Sequence, residues 1–195
     1  MPAQPAEEVR IAVESVLFVA DGPVDISTLA RVAAVPASDI VVALDAIAED
    51  YRGRGLRIQR TDSAAQLVTA PEAVQYVESF LGVDETETIS QAALETLAMV
   101  AYKQPITRPQ IELIRGVNCD RAVAVLRARG LISEVGRAST PGRPYMYGTT
   151  FRFLEHFGLE RPEDLPPLPE LDAAFDVREA ERAREAELEA APGED

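Results

Sequence analysis

The 195-residue chain has no tryptophan, one cysteine, one histidine and one lysine. A single cysteine forms no internal disulfide, and Cys119 with His156 does not supply the four nitrogen and sulfur ligands of a structural zinc site. Lys103 follows Ala101-Tyr102 and not a glycine loop, so no Walker A phosphate cradle is present. The Gly-x-Ser-x-Gly elbow, the His-Glu-x-x-His helix and the Gly-x-Gly-x-x-Gly turn are missing as well. One histidine leaves little general-base capacity near neutral pH, and the acidic residues are numerous enough that neighbouring carboxylates are ordinary surface charge. The sequence predicts a chain that is not an enzyme and takes neither cofactor nor metal. Long apolar runs are lacking too. The longest is Leu97–Tyr102, far below the roughly 20 residues of a membrane span, and Met1–Arg10 carries Glu7 and Glu8 where a signal peptide would be basic. A soluble, cytoplasmic protein without membrane contact is expected.

What is plentiful is negative charge, 33 acidic against 19 basic side chains, with an apolar fraction of 47% that is ample for cores. The charge is unevenly placed. Residues 1–99 sum to −10, residues 100–152 to +6 and residues 153–195 to −10. The basic island holds Lys103, Arg108, Arg115, Arg121, Arg127, Arg129, Arg137 and Arg143, and it suits either nucleic acid or an acidic protein surface.

Apolar periodicity sets out the elements. Val9, Val13, Val16, Leu17 and Ala20 form a helical stripe that Asp21-Gly22-Pro23 stops. Asp25 or Ser27 can cap a second helix through Ala33, and after Pro36 a third carries Ile40, Leu44, Ile47 and Tyr51. Leu56–Arg60 and Gln66–Thr69 read as a hairpin, and Pro71 opens a helix ending near Leu81. The order then repeats. Leu94, Leu97, Ala98 and Ala101 mark a helix broken at Lys103-Gln104-Pro105. Thr107-x-x-Gln110 is a capping box for a helix to Arg115, with Gly116 as its stop. Asn118 is expected to cap a helix with Val123 and Leu126 inward. Leu131–Val135 and Pro144–Tyr147 flank a tip at Thr140-Pro141-Gly142, before a helix over Phe151–Phe157. A displacement of 82 residues lays Pro23-Val24-Asp25 on Pro105-Ile106-Thr107, Leu29 on Ile111 and Leu44 on Leu126. Three helices followed by a hairpin is the winged-helix plan.

The expected fold class is therefore α+β, mainly helical, with two tandem winged-helix domains and a flexible acidic C-terminal tail. Residues 1–6 are read as a disordered N-terminus, 7–84 as the first, dimerising domain, 85–160 as the second domain, and 161–195 as a Pro-rich linker and acidic tail. Neither third helix suits a DNA groove. The first presents Asp39, Asp45, Glu49 and Asp50, and the second presents mainly Arg121, Ala124, Val125 and Ala128, without the amide side chains that pair with bases. That face reads as built for protein, with nonspecific phosphate contact open to Arg137 and Arg143.

Three linked blocks then carry a resemblance: Leu94–Arg108, Ile114–Asn118 and Gly142–Thr150, followed by Phe153–Leu159 and Asp164-Leu165-Pro166. Together they resemble ScpB, the segregation and condensation protein B family of bacteria, over about residues 7–168. The resemblance implies a non-catalytic subunit of the bacterial condensin complex. Such a subunit is a homodimer, paired largely through the first domain, that clasps the kleisin ScpA and through it the SMC ATPase, serving chromosome condensation and segregation during cell division. Nucleoid association would follow through that complex, with DNA contact indirect or nonspecific. The runner-up is a winged-helix transcription regulator or nucleoid protein. Tyr102, Arg108, Arg121, Val125, Arg143, Tyr145 and Tyr147 are the partner-interface candidates, because arginine and aromatic side chains anchor interfaces; no residue of the dimer seam is singled out. Cys119 reads as a packed thiol or as a reactive one at a helix N-terminus, and His156 as a partly packed side chain. Cys119 and the acidic tail lie outside the family pattern and inherit no role.

Overall fold

The computed structural model describes residues 6–81 and 88–167. Residues 1–5 of the expected terminus, 82–84 at the end of the expected first domain and 168–195 of the linker and tail fall outside them, while Ala6 already belongs to a helix. The fold mixes helix and sheet and divides into two compact units.

In the first unit, α1 (Ala6–Val19) buries Val9, Val13 and Leu17, as its stripe requires. Strand β1 (Val24–Asp25) leads directly into α2 (Ile26–Ala33), and α3 (Ala37–Asp50) follows, burying Ile40, Ala43, Leu44 and Ile47. Asp25 is the residue before α2, yet its side chain makes no cap bond. Asp25 is extended in β1, and the first N–H of the helix, from Ile26, donates to the Ser63 carbonyl at 2.8 Å. Strands β2 (Leu56–Arg60) and β3 (Ala64–Thr69) form the hairpin, with Gln59 opposite Gln66, and β1 pairs antiparallel with β3. The hairpin is thus one side of a three-stranded sheet ordered β1-β3-β2. A 3-10 turn at Pro71–Ala73 leads into α4 (Val74–Leu81), which buries no residue at all.

The second unit repeats the order. Helix α5 (Gln91–Lys103) buries Leu97 and Val100, strand β4 is Ile106–Thr107, and α6 spans Arg108–Arg115. The 82-residue displacement thus carries β1 and α2 onto β4 and α6 residue for residue. The capping box is present: Gln110 Oε1 accepts from the Thr107 amide at 2.9 Å and from its hydroxyl at 2.7 Å, while the Gln110 amide donates to Thr107 Oγ1. Gly116 ends α6 in the left-handed region. Helix α7 (Asp120–Ala128) buries Val123 and Leu126 as expected. Its N-cap is Cys119, not Asn118 as the sequence suggested; Asn118 lies one residue earlier and accepts the Asp120 N–H at 3.1 Å. Strands β5 (Ile132–Arg137) and β6 (Tyr145–Thr149) close a second three-stranded sheet, ordered β4-β6-β5.

Helix α8 (Phe151–Phe157) belongs to the first unit, together with the chain through Asp164, although its position in sequence placed it with the second. It packs against β2, and the irregular segment after it is strapped to that free sheet edge. Arg60 N–H donates to the Glu160 carbonyl at 2.9 Å, and the Gln59 amide donates to the Leu159 carbonyl at 2.7 Å. Gln66 donates to both Gln59 at 2.9 Å and Glu155 at 2.8 Å. Asp45 holds Arg60 and Arg161 together, at 2.8 and 3.2 Å. The chain thus leaves the first unit at Ser90, returns to it over Thr149–Asp164, and rejoins the second unit at Leu165.

Candidate partner interface

Six of the seven sequence candidates lie on α6, α7 and the second hairpin and Tyr102 lies on α5; of the candidate arginines Arg108 is ion-paired, as are Arg115 and Arg127 of the surrounding island. Arg108 opens α6 and reaches the Asp120 carboxylate at the start of α7, with Glu112 one turn along at 3.9 Å. Asp120 raises the Arg108 pKa above its usual value. The hydrogen bond from Asn118, aided by Arg108, holds the Asp120 carboxyl below the usual range. Glu112 also accepts from the Cys119 amide at 3.1 Å and from the Asn118 side chain at 3.1 Å, so one carboxylate ties the loop to α6. Arg115 is held by Glu95 at 3.0 Å, and Arg127 by Glu134 at 2.8 Å. A guanidinium whose charge is matched at that distance has little left for a phosphate.

The hairpin tip is set by backbone geometry. Gly142 has φ of +80° and Arg143 φ of +42°, and the Arg143 amide donates to the Thr140 carbonyl at 2.9 Å. This turns the Arg143 carbonyl onto Arg137, which donates to it at 3.0 Å while its guanidinium lies 3.8 Å over the Tyr145 ring. Cation and aromatic face stabilise one another here, and the stack presents a flat surface of mixed polarity.

The structure separates the seven candidates. Arg143 and Tyr145 share the exposed hairpin, with Tyr145 41% exposed. Arg121 and Val125 lie one turn apart on the outer side of α7, the first exposed and the second half-buried. Arg108 is exposed but ion-paired. Tyr102 is half-buried and donates its hydroxyl to the Pro166 carbonyl at 2.8 Å, a local tie. Tyr147 is core: it is 6% exposed and paired with Ile106. Sequence reading missed Asp120 and Glu112 as partners of Arg108, Glu95 as that of Arg115 and Glu134 as that of Arg127. The Arg108–Glu112 spacing of four was the one available signal.

Cys119 is buried, and burial followed by the Glu112 charge pushes its thiol up to about 11, so the helix N-terminus yields no thiolate near neutral pH. His156 is exposed and edge-on to Phe157. Among the described residues no group of three His, Cys, Asp or Glu is placed to hold a metal, and no helix is long and apolar enough to cross a membrane.

The chain is thus of the class of proteins built from two compact helix-and-sheet units, the second exposing Arg121, Arg143 and Tyr145. The particular family is plain from comparison. The family model for "Segregation and condensation complex subunit ScpB" matches residues 11–168, and the chain belongs to that family. It is 42% identical to the segregation and condensation protein B of Moorella thermoacetica, covering all of both chains, and 43% identical to that of Desulforamulus reducens, covering 84% of this chain and 91% of the other. Among solved structures it is similar to a crystal structure of ScpB from Mycobacterium tuberculosis, at 35% identity over 80% of this chain and 99% of that one, with a TM-score of 0.39.

Proposed function

We propose that this chain is the non-catalytic, homodimeric subunit of a condensin complex, built from two winged-helix units, that grips the kleisin ScpA and through it SMC in chromosome condensation and segregation. The single observation that carries the reading is the fate of the basic island. Arg108, Arg115 and Arg127 are each answered by a carboxylate of the same unit, and Arg137 is stacked on Tyr145. A DNA-reading unit needs those cations for phosphate, whereas a polypeptide partner is served by what is left exposed: Arg121, Val125, Arg143 and Tyr145. The equivalent helix of the first unit, α3, carries no cation of its own and exposes Asp39, which suits a groove still less.

Copurification with the matching kleisin fragment tests the reading. Tagged protein should retain ScpA at low and at physiological salt, and Tyr145→Ala with Val125→Asp should lose it while the fold remains. Failure to retain ScpA in either buffer refutes the assignment. Tight, sequence-selective duplex binding that survives physiological salt would instead favour a regulator.

A further inference from the structure

We propose that the α3 face of the first unit is a docking site for a basic amphipathic helix of another protein. The inference goes beyond the kleisin reading, which rests on the second unit. Val41 and Val42 stand on α3 at 41% and 68% exposed. Val42 lines a cleft of about 340 Å³ between the start of α1 and α3, where Ala6, Val9, Ala43 and Ala46 make a small-residue trough. Val41 lines a second cleft of about 460 Å³, with Ile26 and Leu44 beneath it and Thr61, Asp62 and Glu163 at its edge. Two neighbouring valines between two hollows form a ridge-and-groove surface into which the side-chain rows of an incoming helix can seat.

Charge selects the occupant. The cations at these clefts are already answered: Arg10 by Asp50, and Arg60 and Arg161 both by Asp45. The carboxylates on the rim are not. Among the described residues Asp62 and Glu163 have no cationic partner, and Asp39 has only the Ser38 hydroxyl, at 3.1 Å. A lysine or arginine stem can lie along Val41 or Val42 while its charge meets one of these three carboxylates, which an acidic or neutral helix cannot do. The net −10 of residues 1–99 attracts a basic partner from a distance and repels a second copy presenting the same face. The second unit offers the reverse chemistry, Arg121 and Arg143 with Val125 and Tyr145, so a segment suited to one face is unsuited to the other. The chain therefore carries two ports of opposite sign, for two different segments.

The probe is a fluorescent peptide of about 15 residues, long enough to form a helix, with leucine at helical spacing and lysine elsewhere. It is titrated into the full chain beside a scrambled peptide of the same composition. The expected result is saturable binding that weakens as salt rises, with amide shifts at Val9, Val42 and Ala43. Val42→Glu makes the face more acidic but less apolar, and it should weaken binding about tenfold, the worth of an exposed valine that docking buries. Asp39→Asn combined with Asp62→Asn should weaken it about fivefold and flatten the salt dependence. Val32→Glu on α2, 51% exposed and lining neither cleft, should not weaken it. Melting curves for each variant establish that the fold stands. Equal binding of the scrambled peptide, or undiminished binding to Val42→Glu, leaves only charge attraction and overturns the proposal, as do amide shifts confined to another surface. If Val42→Glu abolishes ScpA retention with the fold intact, the face belongs to the kleisin; if it splits a wild-type dimer in light scattering, the face belongs to a second copy. Either result also overturns the proposal.

Discussion

Replacing Gln66 by leucine removes the centre of the strap without changing side-chain volume greatly. Gln66 and Gln59 are 6% and 3% exposed, and the Gln66 amide donates to Gln59 Oε1 and to Glu155 at once. In Gln66→Leu the Gln59 oxygen has no donor and little water, and an orphaned buried acceptor costs about 1–3 kcal/mol. Glu155 is exposed, so water replaces most of its lost bond. The expected loss is therefore about 2 kcal/mol, a melting shift of roughly 4–8 °C for a chain of this size. Gln59→Leu should cost about as much, because the Leu159 carbonyl then lacks its donor. The double variant should lose less than the two losses added, by about 1 kcal/mol, since the Gln59 oxygen orphaned in Gln66→Leu is itself gone. Urea unfolding measures all three, and amide exchange at Arg60, whose N–H is bonded to Glu160, reports whether the strap has lifted. Gln66→Leu within 0.5 kcal/mol of wild type, or strict additivity of the pair, would refute the reasoning (about 0.5 kcal/mol being the spread of ordinary surface substitutions).

Two further outcomes follow from titrating groups. Cys119 is buried and its thiol is pushed up to about 11, so a thiol-specific reagent at neutral pH should modify it only in denaturant; rapid labelling of the native chain would contradict this. The Tyr51 hydroxyl is buried and donates to Glu14, which together raise its pKa from 10.0 to about 12. The folded phenol keeps its proton where an unfolded one loses it, so this pair's contribution is fully present below pH 10 and is lost as the pH climbs from 10 towards 12. Tyr51→Phe should flatten the melting temperature over that window, and an unchanged slope would refute the assignment.

The helices were legible because apolar spacing of three and four residues is a strong signal over a dozen positions, and Val9, Val13 and Leu17 or Val123 and Leu126 turn inward as that spacing demands. The capping box was legible because Thr107 and Gln110 need only each other. The third strand of each sheet was not, since Val24–Asp25 and Ile106–Thr107 are two residues long and a period cannot be read from two residues. The strap was hidden for a different reason. Gln59 and Gln66 lie in the strands of the expected hairpin, and the groups they bond, at Leu159 and Glu155, arrive about 90–100 residues later. At the candidate interface, alternation put Tyr145 and Tyr147 on one side of a strand but could not say that one lies at the tip and the other opposite Ile106. Charge counting located the arginine island, while the pairing of Arg115 with Glu95 and of Arg127 with Glu134 depends on folding to bring the groups close.

The strap also bears on how the protein is made. At about 5–20 residues per second, a ribosome needs roughly 5–20 s to travel the 90 or so positions from the end of β3 to Glu160. Throughout that interval β2 protrudes as an uncapped edge, its Arg60 amide offered to any neighbouring nascent chain. Gln91–Gly148 is made in that interval, so the first unit waits for its strap while most of the second is synthesised. Crowded polysomes, rather than the mature molecule, are where this design is most exposed to mispairing.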